Sequence, residues 1–373
     1  MATRAKKGLI FSACFLAGLG LLFLTWLSFA PCPHPLEGVS FSRLVVDRNG
    51  ELMRLGLSHD QKYRVRTRLT DIPPAAVDSI IRYEDRFFWH HPGVNPLSIA
   101  RAAASMLRGG RVMGGSTITM QVIRLIHGLE TGRLSDKVIQ ILLALQLDWR
   151  WSKTDILEAY FNLAPYGGNV EGLGAAALYY FHKTPASLTP EESTALMLVP
   201  QSPTRRIPSE KNPAFTTVRH RLNKLWHNKE ETAPLRVFGA RDLPFAAPHV
   251  CTELLLQAGE KDRLRATIDL GLQRRLERHL SHFAARHSSW GINNAAALLL
   301  HWPSMEIRAL AGSANFNDAQ IEGQVDGTRA RRSPGSTLKP FIYALALEQG
   351  LIPPHTLLAD TPRSFSASAP ENY

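Results

Sequence analysis

Residues 74–93 read PAAVDSIIRYEDRFFWHHPG and place an acid where a helix predicts an apolar side chain. Val77, Ile80 and Ile81 define one apolar face of a helix, and the next position on that face is Glu84. A carboxyl on the inward face of a helix is partly desolvated, which disfavours its charged form and raises its pKa. Glu84 is therefore a candidate proton acceptor. The ordinary alternative for a single glutamate near a helix end is an ion pair with a neighbouring arginine and no chemistry.

Two motifs near Glu84 carry a resemblance to a known enzyme family. The first is E-D-x-x-F-x-x-H-x-G, which begins with Glu84 and Asp85 and includes His91, and the second is GGSTITMQ at residues 114–121. Together they resemble the signature of the family 51 peptidoglycan glycosyltransferases, which polymerise lipid II into glycan strands. The resemblance implies a mainly α, lysozyme-like domain in which Glu84 is the general base. It also implies that Asp85, His91 and Gln121 contact the substrate.

The composition of the chain indicates two modest globular domains and an anionic partner. Its 373 residues are 45% hydrophobic and 20% charged, and Lys plus Arg exceed Asp plus Glu by 43 to 32, a net charge of +11. Such an excess suits nucleic acid, an anionic membrane surface or a phosphorylated substrate. The sequence has no zinc-finger spacing, basic zipper or aromatic ribonucleoprotein motif, which argues against nucleic acid. The three cysteines form no metal-like cluster, and at most Cys32 and Cys251 can pair.

An apolar segment at residues 8–30 predicts a single transmembrane helix. As a helix it is about 35 Å long, enough to cross a bilayer, and Arg4, Lys6 and Lys7 precede it. Positive residues on the short amino-terminal side predict a cytoplasmic amino terminus, with the rest of the chain on the outer side of the membrane. The family resemblance implies that this is an inner membrane with the catalytic domain on its periplasmic side. A cleaved signal peptide is the alternative, but the apolar segment is long and Pro31 is a poor cleavage context.

Regular patterns elsewhere predict short strands and further helices. Residues 43–47 indicate a strand before a tight turn, and residues 295–300 and 307–310 indicate a buried hairpin. Residues 136–149 predict a helix. Its apolar side chains lie on one side: Val138, Ile141, Leu142, Leu145 and Trp149.

Hydroxyl and basic side chains downstream of Glu84 predict a site for an anionic phosphate. Ser116 and Thr117 lie where the next helix should begin; such residues cap a helix or, with the N–H groups of its first turn, hold an anion. By resemblance to the family, Arg124 contacts the pyrophosphate of the lipid-linked sugar. Fixed positive charge stabilises a departing pyrophosphate. Further candidates for this role are Arg133, Lys137 and Lys153.

One position departs from the family pattern. Where relatives read R-K-x-x-E, residues 136–140 are DKVIQ, so that Gln140 replaces an acid. An amide cannot transfer a proton at ordinary pH, although it keeps the size and hydrogen-bonding capacity of the acid. We therefore expect Gln140 to position the substrate or Glu84.

Asp155 has two interpretations of similar weight. With Ser152 it fits a capping box at the start of a helix. The segment that begins at Lys153 also resembles the family's K-x-x-[IV]-L-x-x-Y-L-N stretch. That resemblance permits Asp155 as a second catalytic carboxylate and Asn162 as a substrate contact, and both interpretations can hold together.

A second reactive motif is S-x-x-K at Ser336 and Lys339, within the stretch RSPGSTLKPF. The amine lies one helical turn from the hydroxyl, so that it can activate the hydroxyl as a nucleophile. The flanking residues resemble the acylation motif of penicillin-binding transpeptidases, and a serine cap before a surface lysine is the ordinary alternative. The required S-x-N and K-T-G motifs do not follow before Tyr373. We therefore expect an incomplete transpeptidase domain without cross-linking activity.

Taken together, the two sets of motifs resemble those of the bifunctional class A penicillin-binding proteins, and the resemblance implies an incomplete second domain in this chain. The predicted divisions are a cytoplasmic tail at 1–7, a transmembrane helix at 8–30, a glycosyltransferase domain at 40–230, a linker at 231–265, and a partial α/β segment at 266–373. The last segment resembles the serine transpeptidases and β-lactamases.

The predicted function is polymerisation of lipid II into a nascent glycan strand. A lysozyme-like glycan hydrolase and a non-catalytic cell-wall scaffold are the alternatives. The family resemblance implies no required cofactor and allows Mg²⁺ or Mn²⁺. The expected partners are lipid II, the glycan strand, membrane lipids and cell-wall synthesis proteins, but not nucleic acid.

Overall fold

The computed structural model describes residues 2–107, 115–130, 133–227, 234–259 and 261–358; side chains are described from residue 14 onward within these ranges, except at 102–107, 134, 226 and 227. The helices are α1 Ala2–Phe29, α2 Pro74–Glu84, α3 Pro96–Leu107, α4 Ile118–His127, α5 Leu134–Arg150, α6 Lys153–Leu163, α7 Leu173–Phe181, α8 Pro190–Met197, α9 Pro213–His227, α10 Pro248–Gln257, α11 Leu270–His287 and α12 Lys339–Glu348. The strands are β1 Leu44–Val46, β2 Leu52–Leu55, β3 Tyr63–Arg64, β4 Val170–Glu171, β5 Arg263–Arg265, β6 Ala297–His301 and β7 Glu306–Ala311.

Helix α6 is the centre of the helical domain. From Ile156 to Leu163 all but one of its residues are buried, including Tyr160 and Phe161, as expected for a helix that is apolar on every side. Helix α4 packs along α6, and α5 packs against α4. The same core contains Phe88 of the loop after α2, and full burial of such a side chain is worth about 1.5–3 kcal/mol.

Helix α5 confirms the helix predicted over 136–149, but the predicted apolar side is largely exposed. Val138 and Trp149 are 56% and 59% exposed. The buried face instead carries Gln140, Ala144 and Leu147. The polar Gln140 is tolerated inside because its amide pairs with the α4 backbone.

The loop that follows α2 lies closely against α5. Gly93 in this loop has φ +77°, and a Cβ atom there would lie 2.2 Å from the carbonyl oxygen of Ala144. Only glycine satisfies both the positive φ and this close approach. The loop is thereby held beside the amino terminus of α4, where Thr117 donates a hydrogen bond to the Gly93 carbonyl at 2.6 Å.

Helix α1 packs against α5. Gln146 of α5 donates a hydrogen bond to the carbonyl of Ala30 at 3.2 Å. Among the residues whose side chains are described, which in α1 begin at residue 14, no helix combines the length and the apolar character that a bilayer span requires. The basic residues Arg4, Lys6 and Lys7 lie outside the residues whose side chains are described.

A three-stranded sheet joins distant parts of the sequence. Strand β1 pairs antiparallel with β2 and parallel with β5, which confirms the predicted strand at 43–47. A second core packs on this sheet and contains Val45, Met53, Cys251 and Ile268. Strand β5 belongs to the predicted linker, so that this segment pairs with strands from the beginning of the predicted glycosyltransferase domain. Cys32 and Cys251 are free thiols.

Strands β6 and β7 form the predicted hairpin. The prediction that both strands are buried is wrong for β6, whose Leu298, Leu299 and Leu300 are more than 40% exposed. Ala309 and Ala311 of β7 are buried. The difference arises because β7 is the strand that packs against α11.

Candidate active site

Glu84 is the last residue of α2 and turns its carboxyl toward α4. Its Oε2 accepts a hydrogen bond from Nε2 of Gln121 at 3.0 Å. Its Oε1 is buried and has no hydrogen-bond partner among the described residues. Burial raises the pKa of Glu84 above its ordinary value, against the opposing effects of Gln121, Arg206 and Arg124. The direction agrees with the expectation from the apolar face of α2.

Asp85 and His91 form a buried pair that fixes the loop after α2. Nε2 of His91 lies 3.0 Å from Oδ2 of Asp85, and the same carboxyl accepts a hydrogen bond from the N–H of Ile118 at 3.0 Å. Asp85 thus supplies the negative charge that a helix amino terminus favours. These contacts are structural, and the predicted contacts with substrate stay predictions.

Thr117 is the amino-terminal cap of α4. Its hydroxyl oxygen accepts a hydrogen bond from the N–H of Met120 at 3.1 Å. Because Asp85 accepts from the N–H of Ile118, two donors of the first turn already have protein acceptors. The capping interpretation is therefore confirmed for Thr117, and its predicted contact with an anion remains untested.

Two cationic side chains, Arg124 of α4 and Lys137 of α5, lie close enough for the charge of one to act on the other. Nζ of Lys137 donates hydrogen bonds to the hydroxyl of Ser116 at 2.8 Å and to Oε1 of Gln140 at 3.0 Å. Burial and then the charge of Arg124 lower the pKa of Lys137. Arg124 therefore acts on both the acid and the amine. Two cations held close together, one of them half-buried, favour an anionic ligand.

Gln140 is fixed between these groups. Its Nε2 donates a hydrogen bond to the carbonyl of Met120 at 2.5 Å, while its Oε1 accepts from Lys137. The amide therefore uses both of its functions, one as a donor to α4 and one as an acceptor for the amine.

Arg206 was not singled out from the sequence. Its Nη1 donates to Oε1 of Gln201 at 2.7 Å, to the hydroxyl of Tyr83 at 3.1 Å and to the carbonyl of Leu198 at 3.2 Å. These contacts hold the guanidinium where its charge lowers the pKa of Glu84. The sequence shows only a basic stretch at this point and no link to Glu84.

Two tyrosines were also missed. Tyr160 of α6 and Tyr166 of the following loop are fully buried, and the charge of Glu84 contributes, after burial, to raising the pKa of both phenols. The available signal was the tyrosine within the K-x-x-[IV]-L-x-x-Y-L-N stretch, which occupies position 160.

Arg133 and Lys153, which were predicted to contact the pyrophosphate, contact other protein groups. Arg133 is exposed and pairs with Glu130 at 3.4 Å. Nζ of Lys153 lies 2.6 Å from Asp148, donates to the His91 carbonyl at 2.7 Å and lies over the ring of Phe88. Its charge thus holds the loop after α2.

Asp155 and Asn162 likewise have structural partners. Asp155 and Ser152 form the capping box of α6, which confirms that interpretation. Asn162 is fully buried and bonds both backbone groups of Thr67 at 2.8–2.9 Å. The catalytic role of Asp155 and the substrate contact of Asn162 stay predictions, and no described hydrogen bond or ion pair joins either residue to Glu84.

Ser336 and Lys339 lie at the start of α12. Ser336 belongs to a short 3₁₀ turn at Gly335–Leu338, and Lys339 is the first residue of α12. Both are exposed. Among the described contacts, none joins the serine hydroxyl to the lysine amine.

The described residues offer no preformed metal site. No group of three or more His, Cys, Asp or Glu side chains is arranged to hold a metal ion in this part of the chain. A role for Mg²⁺ or Mn²⁺ therefore stays a prediction, and no catalytic step is derived from it.

Comparison with known proteins identifies two domains. Residues 49–227 match the family model described as transglycosylase, and residues 295–371 match that of the penicillin-binding protein transpeptidase domain. The chain thus carries a transglycosylase family domain followed by a penicillin-binding protein transpeptidase domain. The transglycosylase match contains Glu84, Gln121, Arg124, Lys137 and Arg206.

Similar proteins carry names of the same kind. Penicillin-binding protein 1C of Escherichia coli (strain K12) is 38% identical over 95% of this chain and 47% of its own length. Penicillin-binding protein 1F of Bacillus subtilis (strain 168) is 25% identical over 96% of this chain and 53% of its own. The chain thus spans about half the length of the relatives it matches. A crystal structure of penicillin-binding protein 1A from Haemophilus influenzae aligns with a TM-score of 0.36 and 15% identity over 89% of this chain and 57% of that chain, a likeness too low for a comparison of folds.

Proposed function

We propose that the helical domain is a peptidoglycan glycosyltransferase that polymerises lipid II into glycan strands, with Glu84 as its general base. The observation that carries the proposal is a largely buried carboxyl of raised pKa on which the charges of Arg124 and Arg206 act, with Lys137 close to Arg124. A base of raised pKa accepts a proton near neutral pH more readily than an ordinary carboxylate. The transglycosylase match over the same residues supports this interpretation.

In the proposed reaction, Glu84 takes the proton from the 4-hydroxyl of the acceptor sugar. The hydroxyl oxygen then forms a bond to the anomeric carbon of the donor chain. The bond between that carbon and the pyrophosphate oxygen breaks, and the lipid pyrophosphate leaves with the electron pair. One glycosidic bond is formed and one glycosyl phosphate bond is lost, so that no oxidant or reductant is needed.

Arg124 and Lys137 are the proposed partners of the departing pyrophosphate. Lys137 is already held by Ser116 and Gln140, so its charge is fixed before the transition state forms. Preorganised charge of this kind stabilises developing negative charge without reorganisation during the reaction.

We further propose that α1 anchors the chain in an inner membrane, with a cytoplasmic amino terminus and a periplasmic catalytic domain. Phe15, Leu16, Leu21 and Leu22 of α1 are more than 60% exposed, and apolar surface of this extent favours lipid. Release of the full chain from membranes by alkaline carbonate would argue against an integral anchor.

The experiment that tests the function is lipid II polymerisation by the full chain and by Glu84→Gln. Loss of a general base lowers the rate by roughly 10²–10⁴-fold, and we expect a loss of this size. Glu130→Gln is the matched control, because it removes an exposed carboxyl of the same domain and should leave the rate unchanged. Unchanged polymerisation by Glu84→Gln would favour a scaffold, and cleavage of finished glycan without polymer formation would favour a hydrolase.

The transpeptidase segment is proposed to lack cross-linking activity. Support comes from Ser336, which is exposed and has no described contact with the Lys339 amine that would activate it. A fluorescent penicillin should therefore leave Ser336 unlabelled, and labelling that is lost in Ser336→Ala would overturn this part of the proposal.

A further inference from the structure

Two buried hydroxyl groups near Glu84 have no role in the chemistry above. Tyr160 lies on α6 and Tyr166 in the loop after it, and both side chains are fully buried. Neither hydroxyl has a hydrogen-bond partner among the described residues. Buried hydroxyls in folded proteins are nearly always paired, so two unpaired phenols in one region require an explanation. A phenylalanine would fill the same volume without the cost of burying an unpaired hydroxyl.

The carboxyl of Glu84 has one oxygen that lacks a hydrogen-bond donor among the described residues. Its Oε2 accepts from Gln121, but its Oε1 is buried and unpaired. The two phenols come from α6 and its following loop, and α6 packs against α4, the helix that carries Gln121. The carboxyl is also near enough to act on both phenols electrostatically. Two donors and one acceptor are therefore unpaired in the same part of the interior.

We propose that Tyr160 and Tyr166 are positioning residues that donate hydrogen bonds to Oε1 of Glu84 through a bridging water molecule and hold the carboxylate ready to accept a proton. This inference rests on the proposed function of Glu84 as a base. Hydrogen bonds to an ionised carboxylate favour the ionised form. The phenols thus oppose the effect of burial and keep the base from remaining protonated at neutral pH.

The other charged groups that act on Glu84 belong to three different segments of the chain. Asp85 follows it in the chain and raises its pKa, whereas Arg124 of α4 and Arg206 of the segment after α8 lower it. Tyr160 belongs to α6 and Tyr166 to the loop after it, so neither phenol shares an element with these charged groups. Replacing a phenol leaves these three charges unchanged, so a change in the ionisation of Glu84 would report the hydroxyl itself.

The test uses Tyr160→Phe, Tyr166→Phe and the double variant of the full chain in detergent. The acid limb is the part of the pH profile in which kcat/KM for lipid II polymerisation falls as Glu84 becomes protonated. We expect it to move to higher pH by about one unit for each hydroxyl removed, because one hydrogen bond to a charged group is worth about one pKa unit. The rate on the alkaline plateau should change much less. Tyr180→Phe is the matched control, because the hydroxyl of Tyr180 already donates to the carbonyl of Tyr166 at 2.8 Å and should leave the acid limb in place.

A second measurement follows the ionisation of Glu84 and does not depend on enzymatic activity. The difference in thermal stability between each variant and its Glu84→Gln derivative, measured across pH, reports the ionisation of Glu84 through linkage. We expect this ionisation to move upward with each phenol removed. Folded variants in which neither the acid limb nor the thermal titration moves would overturn the inference. If the parent protein makes no polymer while the thermal titration still moves, the proposed function fails and the hydrogen bonding stands.

Discussion

Restoring an acid at position 140 tests how the anionic site is built. Gln140 donates from Nε2 to the carbonyl of Met120 at 2.5 Å and accepts from Lys137 at 3.0 Å. Gln140→Glu keeps the size and the acceptor but removes the donor. In the ionised form, a carboxylate oxygen would face the Met120 carbonyl, and two acceptors cannot bond to each other. We therefore predict that the variant is less stable than the parent at alkaline pH.

The magnitude follows from two opposing terms. Leaving a buried acceptor without its donor costs about 1–3 kcal/mol, and a partly exposed ion pair with Lys137 returns about 0–1 kcal/mol. The net loss has a central value of about 1.5 kcal/mol within a span of about 0–3 kcal/mol, and the central value corresponds to a fall of a few degrees in Tm. A protonated carboxyl can donate to Met120, so burial and this carbonyl raise the folded-state pKa of the introduced group. The folded state then binds more protons than the unfolded state over that range, and the stability loss grows as pH rises through it.

Thermal unfolding of the parent, Gln140→Glu, Lys137→Met and the double variant, at pH 8 and pH 5, measures these terms. The loss should be present at pH 8 and smaller at pH 5, and the double-mutant cycle should show that Lys137 is worth more beside the introduced carboxylate than beside the amide. In polymerisation, KM for lipid II should rise because the new charge neutralises Lys137. A kcat above that of the parent, or equal stability at pH 8, would refute the reasoning.

Four further changes have defined outcomes. Arg206→Gln should raise the pKa of Glu84 further and move the acid limb of kcat/KM to higher pH; a limb that stays in place contradicts the assigned role of this guanidinium. Asp155→Ala removes the third-position half of the capping box whose cap is Ser152. It should cost at most the roughly 0.5–2 kcal/mol of a lost cap and leave kcat unchanged, whereas a loss of about 10²-fold or more, the lower range for a lost acid or base, would identify a second catalytic carboxylate. Gly93→Ala should lower Tm more than Gly128→Ala does. Both glycines have positive φ, but of the two only Gly93 lies against the backbone of another segment. Equal losses in Tm would mean that backbone strain of about 1–3 kcal/mol, and not the close contact, explains both. Inorganic pyrophosphate should raise the pKa of Glu84 measured by thermal titration, because a bound anion near Arg124 disfavours the carboxylate. An unchanged pKa would show that pyrophosphate does not bind near Glu84.

The sequence was informative where a local pattern carried the signal. The apolar face of α2 located Glu84, because a residue that interrupts a helical period is visible without tertiary structure. The S-x-x-D spacing likewise predicted the capping box of Ser152 and Asp155. Both patterns involve residues that are close in the sequence, and the structure contains the helix and the capping box at the predicted positions.

Tertiary contacts decided the rest. Lys153 is a basic residue in a family motif, but its amine is held by Asp148 and the His91 carbonyl. Arg206 is more than 100 residues from Glu84, and only the folded chain brings its charge near the carboxyl. The apolar side of α5 was visible in the sequence, yet the helix buries Gln140 instead, because the amide finds both a donor and an acceptor partner.

Arg124 connects the two halves of the proposed reaction. Its charge lowers the pKa of Glu84 and also lowers the pKa of Lys137, so without a ligand the base is weakened and the two cations repel each other. A pyrophosphate bound between Arg124 and Lys137 would reverse both effects, because its negative charge offsets the guanidinium and favours the ammonium form of the lysine. Glu84 would then become a stronger base only when the donor is in place. Under the proposed function, this coupling restricts deprotonation of the acceptor to the complex in which the leaving group is already held.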